Sequence, residues 1–264
     1  MNIITLIKQV PDTAQLSGSV DGLKLMGQGG PRIVNPWDEY TLETGLQLKE
    51  AHGGRVTVLA LGQPEAIDAL KTGLAMGADE AVLVSDPALE NSDTLTTART
   101  LVAAIQKIGP FDLIVAGRSA IDGNMAATAV QVAALLKLPM ISYVAKLAAV
   151  DPAAGTISAV RLVERGRETV SSKLPAVVSV VKEIYEPRYP SFMGIRKAGK
   201  ATIPTWGLAD LGLEADQVGV AGSQAKWPAV TLPPTREANV EIIEGSPAEA
   251  AKTLADRLLA EKVI

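Results

Sequence analysis

Short apolar runs alternate with stretches of helical periodicity from Ile3 to Leu136, and no other feature restricts the fold of this chain so strongly. Ile3–Ile7 has the length and composition of a strand. A helical pattern follows over Asp38–Ala51, with Leu42, Leu46 and Leu48 as its apolar positions. Arg55–Leu61 reads as the second strand. Pro64 opens a helix that runs to Met76 and closes at Gly77, and Ala81–Val84 is the third strand. Ser92 or Asp93 caps the next helix, which reaches Ile108 before Gly109-Pro110 stops it, and Leu113–Ala116 is the strand beyond. Strands separated by crossover helices predict a parallel sheet with right-handed connections.

The strand Leu113–Ala116 feeds the stretch Gly117–Thr128, and an Ala-rich helical pattern continues from Ala126 to Leu136. Such a strand-loop-helix junction lies at the carboxyl ends of the strands in an open parallel sheet. Free N–H groups and the dipole at the helix start there favour an anion such as a nucleotide phosphate. Lys8–Asp12, Asn35–Asp38 and Leu61–Pro64 also sit at strand ends, so that the four segments together outline a crevice at the switch point of the sheet. Each has a plain structural reading too. Asn35 and Asp38 are N-cap types, Pro36 suits a helix start, and Asp122-Gly123-Asn124 is a turn or cap signal. Neither a Gly-x-Gly-x-x-Gly fingerprint nor a P-loop occurs in the sequence.

After Pro139 the pattern changes. Ile141–Leu147 and Thr156–Val163 alternate as strands, joined through Asp151-Pro152 and Gly155, which predicts an antiparallel hairpin extending the sheet. Pro175–Val181 is one more buried strand. From Glu186 to Arg236 periodicity disappears, prolines recur, and isolated aromatics appear at Tyr189, Phe192, Trp206 and Trp227. A loop of roughly fifty residues is uncommon in a compact domain unless it serves a function or packs on a partner. Ser246 then caps a final helix, Pro247–Glu261, with Leu254, Leu258 and Leu259 on one face, and that helix is expected to return to the domain. The organisation predicted is one α/β domain over 1–184 plus 237–264, with 185–236 as an excursion.

Composition removes several classes of function. With 47% hydrophobic and 20% charged residues among 264, the chain is globular, not disordered. A net charge of -4 gives no sign of a surface for nucleic acid or an anionic membrane. The absence of cysteine excludes disulfides, thiolate metal sites, iron–sulfur clusters and a thiol nucleophile. His52 is the single histidine, so a Ser-His-Asp triad or a multi-histidine metal site would need it, and its place in Glu50-Ala51-His52-Gly53-Gly54 suits a helix C-terminal turn instead. No apolar run approaches membrane-spanning length and no leader pattern is evident, so a cytoplasmic protein without direct membrane insertion is expected.

Taken together, Ile7–Asp12, Asn35–Asp38, Ala75–Asp79 and Gly117–Thr128 resemble the beta subunit of electron transfer flavoprotein, the family that includes the smaller of the paired nitrogen-fixation electron-transfer proteins. The resemblance continues through Lys173–Val178, Glu186–Pro190 and Gly194–Ala198 to the closing Glu261–Ile264. It implies a Rossmann-like fold of the adenine nucleotide alpha hydrolase kind: α/β, with a mostly parallel sheet, an antiparallel extension and a long C-terminal partner-wrapping arm.

It also implies a heterodimer in which the alpha subunit holds a redox-active FAD, while the beta subunit binds AMP and 185–236 serves as the arm. By motif position the AMP site comprises Leu6, Asn35, Pro36, Trp37, Asp38, Leu61 and Gly62. To these it adds Gly117, Arg118, Ser119, Ala120, Ile121, Asp122, Gly123, Asn124, Met125, Ala126, Ala127 and Thr128. Helix-start N–H groups would hold the phosphate, with Asp122 or Asn35 bonding adenine or ribose. The dehydrogenase anchor maps to Tyr189, Pro190, Ser191, Phe192, Met193, Gly194, Ile195, Arg196 and Lys197. Phe192 and Met193 are its apolar hot-spot candidates, unless both are tucked onto the domain. Glu164 or Glu168 faces the flavin in this reading, or is a solvated loop carboxylate.

The resemblance makes the chain an electron carrier subunit without a catalytic constellation of its own, because the flavin does the chemistry. Its implied donors are acyl-CoA or other dehydrogenases, and its acceptor is a quinone oxidoreductase. Bifurcating members hold a second FAD in place of AMP and show Asp-Gly-Asp-Thr, where this chain has Asp122-Gly123-Asn124-Met125. Met125 in place of a hydroxyl residue removes one pyrophosphate ligand and points to AMP. An ATP-hydrolysing enzyme or a nucleotide sensor of the same architecture is the alternative from another class.

Overall fold

The computed structural model describes residues 1–15, 30–226 and 240–263. The chain divides into two compact units, Met1–Pro228 and Ala229–Ile264. In the first unit the predicted alternation becomes β1 (Asn2–Ile7), a ribbon of β2 (Gln9–Pro11) and β3 (Arg32–Val34), α1 (Pro36–His52), β4 (Arg55–Leu61), α2 (Ile67–Met76), β5 (Glu80–Val84), α3 (Thr94–Ile108), β6 (Leu113–Gly117) and α4 (Thr128–Leu136). The extension is β7 (Met140–Asp151), β8 (Thr156–Val163) and β9 (Gly166–Lys173), and β10 (Ala176–Val180) returns to the centre.

The central strands β1, β4, β5, β6 and β10 are apolar on both faces because both faces are covered. Successive side chains serve opposite layers. Ile3, Leu113 and Val178 join Leu42 and Leu46 of α1 and Leu70 of α2 in one core. Their neighbours Ile4, Ile114 and Val177 join Leu101 and Ile105 of α3 and Val132 of α4 in the other. Local chemistry bounds the helices as the sequence predicts: Asp93 accepts the Thr96 N–H at 2.8 Å at the start of α3, while Gly77 and Gly109 end α2 and α3 with positive φ.

With the short strand β11 (Thr205–Trp206) at one edge, the sheet order is β11-β5-β4-β1-β6-β10-β7-β8-β9, parallel from β11 to β7 and antiparallel beyond. β4 and β5 lie on one side of β1, and the chain then crosses to place β6 on the other side. This reversal separates the loops that follow β1 and β6 and opens a crevice at their carboxyl ends. β1 and β6 are in register from Ile3 opposite Leu113 to Leu6 opposite Ala116, so both loops leave the sheet at one level.

Residues 185–226 belong to the first unit, and there the structure holds elements that periodicity does not announce. α5 (Phe192–Ala198) packs on α2, and β11 (Thr205–Trp206) adds a parallel edge to β5. The single turns α6 (Leu208–Leu211) and α7 (Gly219–Gly222) follow. Each is too short to reach stability without packing, which is why sequence pattern alone misses it. β9 escapes for a related reason: Gly166–Lys173 is a polar edge strand, recognisable by its pairing with β8 and not by hydrophobic alternation. In the second unit, Ser246 caps α8 (Pro247–Ala260) through a reciprocal box with Glu249, and Arg257 makes a two-pronged ion pair with Glu241. The expected return of this helix, and Trp227 with the last ten residues of the predicted excursion, lie outside what the described residues address.

Candidate functional site

A crevice of about 410 Å3 opens at the carboxyl ends of β1, β4, β5 and β6. Of the residues expected there, Leu6, Asn35, Asp38, Leu61, Gly62, Gly117–Ala120 and Asp122–Thr128 line it, while Pro36, Trp37 and Ile121 do not. The sequence reading missed the loop after β5, where Asp86 and Leu89–Ser92 form one wall. Its position at the carboxyl end of a central strand was the available signal.

Asn35 occupies the N-cap position of α1, but its side chain does not cap the helix. Its Nδ2 instead donates to Ser119 O at 2.9 Å, and its Oδ1 accepts the Ile121 N–H at 3.1 Å. A buried amide thus braces the loop after β6 through both of its ends. Asp38, also of cap type, accepts the Lys8 N–H at 2.7 Å and ties the end of β1 to α1. Both residues therefore serve the crevice by holding its walls. Gly117 is needed where β6 meets this helix, because a Cβ there would land on Asp38 Oδ1 and within 2.9 Å of Trp37 Cβ.

Beyond Gly117 the loop is held in a sparsely populated conformation. Asn124 (φ 48°) and Ala126 (φ 51°) are left-handed without being glycine. Asn124 is secured by its N–H to Ala120 O at 2.7 Å and by Ser119 Oγ, which donates to its Oδ1 at 2.9 Å. Strain of this kind persists only where the surroundings impose it, and it clusters at binding sites. These two residues also explain why α4 starts at Thr128 and not at Ala126. Ala127 supplies no side-chain cap, so the first turn of α4 faces the crevice with N–H groups that no side chain satisfies among the described residues. A carboxylate enters from the same loop: Asp122 pairs with Lys8 Nζ at 2.6 Å through Oδ2, while its buried Oδ1 has no hydrogen-bond partner among the described residues.

Trp37 faces another group. The Arg118 guanidinium lies 5.1 Å from the Trp37 ring and 5.6 Å from the Tyr143 ring, stacked between a residue of α1 and one of β7. Tyr143 has φ 59° and is fixed by its N–H to Ser179 Oγ at 3.2 Å. Glu164 and Glu168 lie elsewhere, on the β8–β9 hairpin. Glu164 is in the two-residue turn between Val163 and Gly166, and Glu168 stands opposite Arg161. In the anchor segment, Ser191 caps α5 by accepting the Gly194 N–H at 2.9 Å. Gly194 lies against Ala75 O, so α5 is seated on α2 while Tyr189 (94% exposed), Phe192 (82%) and Met193 (68%) project. Ile195 is exposed as well, and Arg196 and Lys197 form the last turn.

Burial pushes the Asp38 carboxyl up to about 7, against the opposing hydrogen bonds from Asn35 and Lys8. Between about pH 4 and 7 the unfolded chain carries this carboxylate ionised while the folded chain keeps it protonated. The folded state therefore loses stability as pH rises across that window, by about 1.4 kcal/mol per pH unit from this residue, and the loss levels off above it. Asp38→Asn should flatten that slope in urea unfolding measured across the window. An unchanged slope would show that Asp38 titrates normally.

A family model for the electron transfer flavoprotein domain matches residues 22–211. The chain is 38% identical over 265 residues to an electron transfer flavoprotein subunit beta of Thermoanaerobacterium thermosaccharolyticum, covering the whole of both proteins. It is 36% identical to Protein FixA of Azorhizobium caulinodans, over 99% of this chain and 93% of that one. To the caffeyl-CoA reductase-Etf complex subunit CarD of Acetobacterium woodii it is 36% identical over the full length of each. Among the described residues no helix is long and apolar enough to cross a membrane, and no cluster of three or more His, Cys, Asp or Glu could hold a metal ion.

Proposed function

The chain belongs to the electron transfer flavoprotein family, among its beta subunits and FixA proteins, and from that premise we propose that its crevice holds AMP as a structural nucleotide in a heterodimer. One observation carries the nucleotide reading: the uncapped start of α4 opens on a crevice whose lining also includes the Asp122 carboxylate. The N–H groups at the start of α4 suit a phosphate, and the Asp122 carboxylate suits a ribose hydroxyl or the adenine amino group. The crevice volume falls in the ordinary range for small-molecule sites, ~300–1,000 Å3. AMP would do no chemistry here. The flavin on the alpha subunit supplies the electron transfer, and this chain positions the assembly.

Phe192 and Met193 are the anchors for a donor such as an acyl-CoA dehydrogenase. An aromatic that projects from a capped, seated helix loses little freedom on docking, so its burial appears as binding energy. With the heterodimer and a purified acyl-CoA dehydrogenase, Phe192→Ala should lower kcat/KM for flavin reduction at least about thirtyfold, the loss that corresponds to the hot-spot threshold of about 2 kcal/mol. The nucleotide content should not change. Equal kcat/KM for variant and wild type would remove Phe192 from the docking surface. The acceptor in this reading is a quinone oxidoreductase, and a second FAD in place of AMP defines the bifurcating alternative.

A further inference from the structure

Lys8 follows β1 and Asp122 lies in the loop after β6, so their 2.6 Å ion pair spans the crevice between two loops 114 residues apart in sequence. The backbone of Lys8 is fixed: its N–H donates to Asp38 and its carbonyl accepts the Asn35 N–H at 2.8 Å. Only its side chain crosses the gap. The Lys8 side chain is 48% exposed and that of Asp122 21%, so the pair is only partly shielded from solvent.

Charge balance gives this bridge a purpose. The crevice is lined by three cationic side chains, Lys8, Arg32 and Arg118, and by four acidic ones, Asp86, Glu90, Asp122 and the Asp38 carboxyl that burial raises. Asp38 is turned to the Lys8 N–H, and Asp86 accepts the N–H groups of Ala88 and Leu208. Asp122 is the carboxylate inside the loop that leads to the start of α4, where it opposes the anion that those N–H groups favour. An ammonium on Oδ2 offsets that repulsion.

Building on the nucleotide reading above, we propose that the Lys8–Asp122 ion pair is a strap across the nucleotide crevice, and that Lys8 is a positioning residue for a nucleoside monophosphate. It neutralises Asp122 as the phosphate enters and joins the two loops over the bound ligand. Retention of the nucleotide then depends on the ion pair, and release requires it to open.

The heterodimer, freed of nucleotide and reloaded with radiolabelled AMP, tests this by the rate at which unlabelled AMP displaces the label. Lys8→Met should speed release by about tenfold, because the partner it abandons is mostly buried. Lys8→Arg should restore slow release. High salt should speed release from the wild type and have little effect on Lys8→Met, since screening acts on a partly exposed pair. The double variant Lys8→Met/Asp122→Asn should bind AMP more tightly than Lys8→Met alone, because it removes the uncompensated carboxylate, and a merely structural lysine would not give that coupling. Release from Lys8→Met at the wild-type rate with the same salt response would overturn the strap while leaving the nucleotide site standing. A wild type that retains no AMP would overturn both.

Discussion

Replacing Arg188 with alanine is expected to cost about 3–5 kcal/mol of folding stability, the typical penalty for stranding a buried charge. The Glu43 side chain in α1 is only 2% exposed, yet burial is overcome and its carboxyl is held below the usual range by hydrogen bonds from Arg188 and Gln47. Arg188 reaches Glu43 Oε2 through Nε at 2.8 Å and through its backbone N–H at 3.1 Å, and Oε1 through Nη2 at 2.9 Å. The same guanidinium pairs with Glu50 at 2.6 Å. These two carboxylates do not weigh equally. Glu50 is more than half exposed, so its pair adds at most about 1 kcal/mol, whereas Glu43 would be left in the interior with Gln47 alone. Arg188→Lys should recover only part of the loss, since an ammonium cannot make the fork, and adding Glu43→Gln to Arg188→Ala should recover more by removing the orphaned charge. Urea unfolding measures all three. A loss for Arg188→Ala near that of a surface pair would mean the clamp is dispensable. The clamp also joins α1, whose first turn borders the crevice, to the segment that carries Tyr189 and Phe192.

Gly117→Ala is expected to be the most damaging single methyl in the crevice. The added carbon meets Asp38 Oδ1, Trp37 Cβ at 2.9 Å and the Trp37 carbonyl carbon at 3.0 Å, a backbone atom that cannot swing aside. β6 and α1 must separate, at a cost of about 1–3 kcal/mol for overpacking. The separation would pull Asp38 from the Lys8 N–H and Asn35 from the loop it braces. AMP affinity should fall about tenfold or more, as one such lost contact predicts. Gly123→Ala is the informative control. Its Cβ would meet only Met125 Cγ, at 3.9 Å, so it should leave affinity and stability close to wild type. Comparable losses at both positions, measured by isothermal titration with AMP, would contradict this view of the loop.

That contrast shows how far the sequence was legible. The parallel sheet, its hairpin extension and several helix ends follow from periodicity and from Asp93, Gly77, Gly109 and Ser246, whose local chemistry acts alone. Asn35 and Asp38 were harder, because a cap and a long-range brace use the same residue types, and only the fold decides that Asn35 reaches Ser119 instead of its own helix. Asp122-Gly123-Asn124 drew notice as a glycine turn, yet Gly117 is the position where a close approach excludes a side chain. Helical periodicity places the start of α4 at Ala126, two residues before its observed start at Thr128, because neither Asn124 nor Ala126 announces its left-handed conformation. The clamp on Glu43 joins residues 145 positions apart, and no local pattern carries such a contact. Family resemblance supplied what periodicity does not, namely the shared flavin assembly.

The most direct measurement is a cofactor inventory of the purified complex. The chain, co-expressed with its alpha subunit, should form a heterodimer that releases FAD and AMP in equal amounts on denaturation. Two equivalents of FAD without AMP would contradict the structural-nucleotide assignment. A stable monomer that takes up no flavoprotein partner would contradict the electron-carrier account itself.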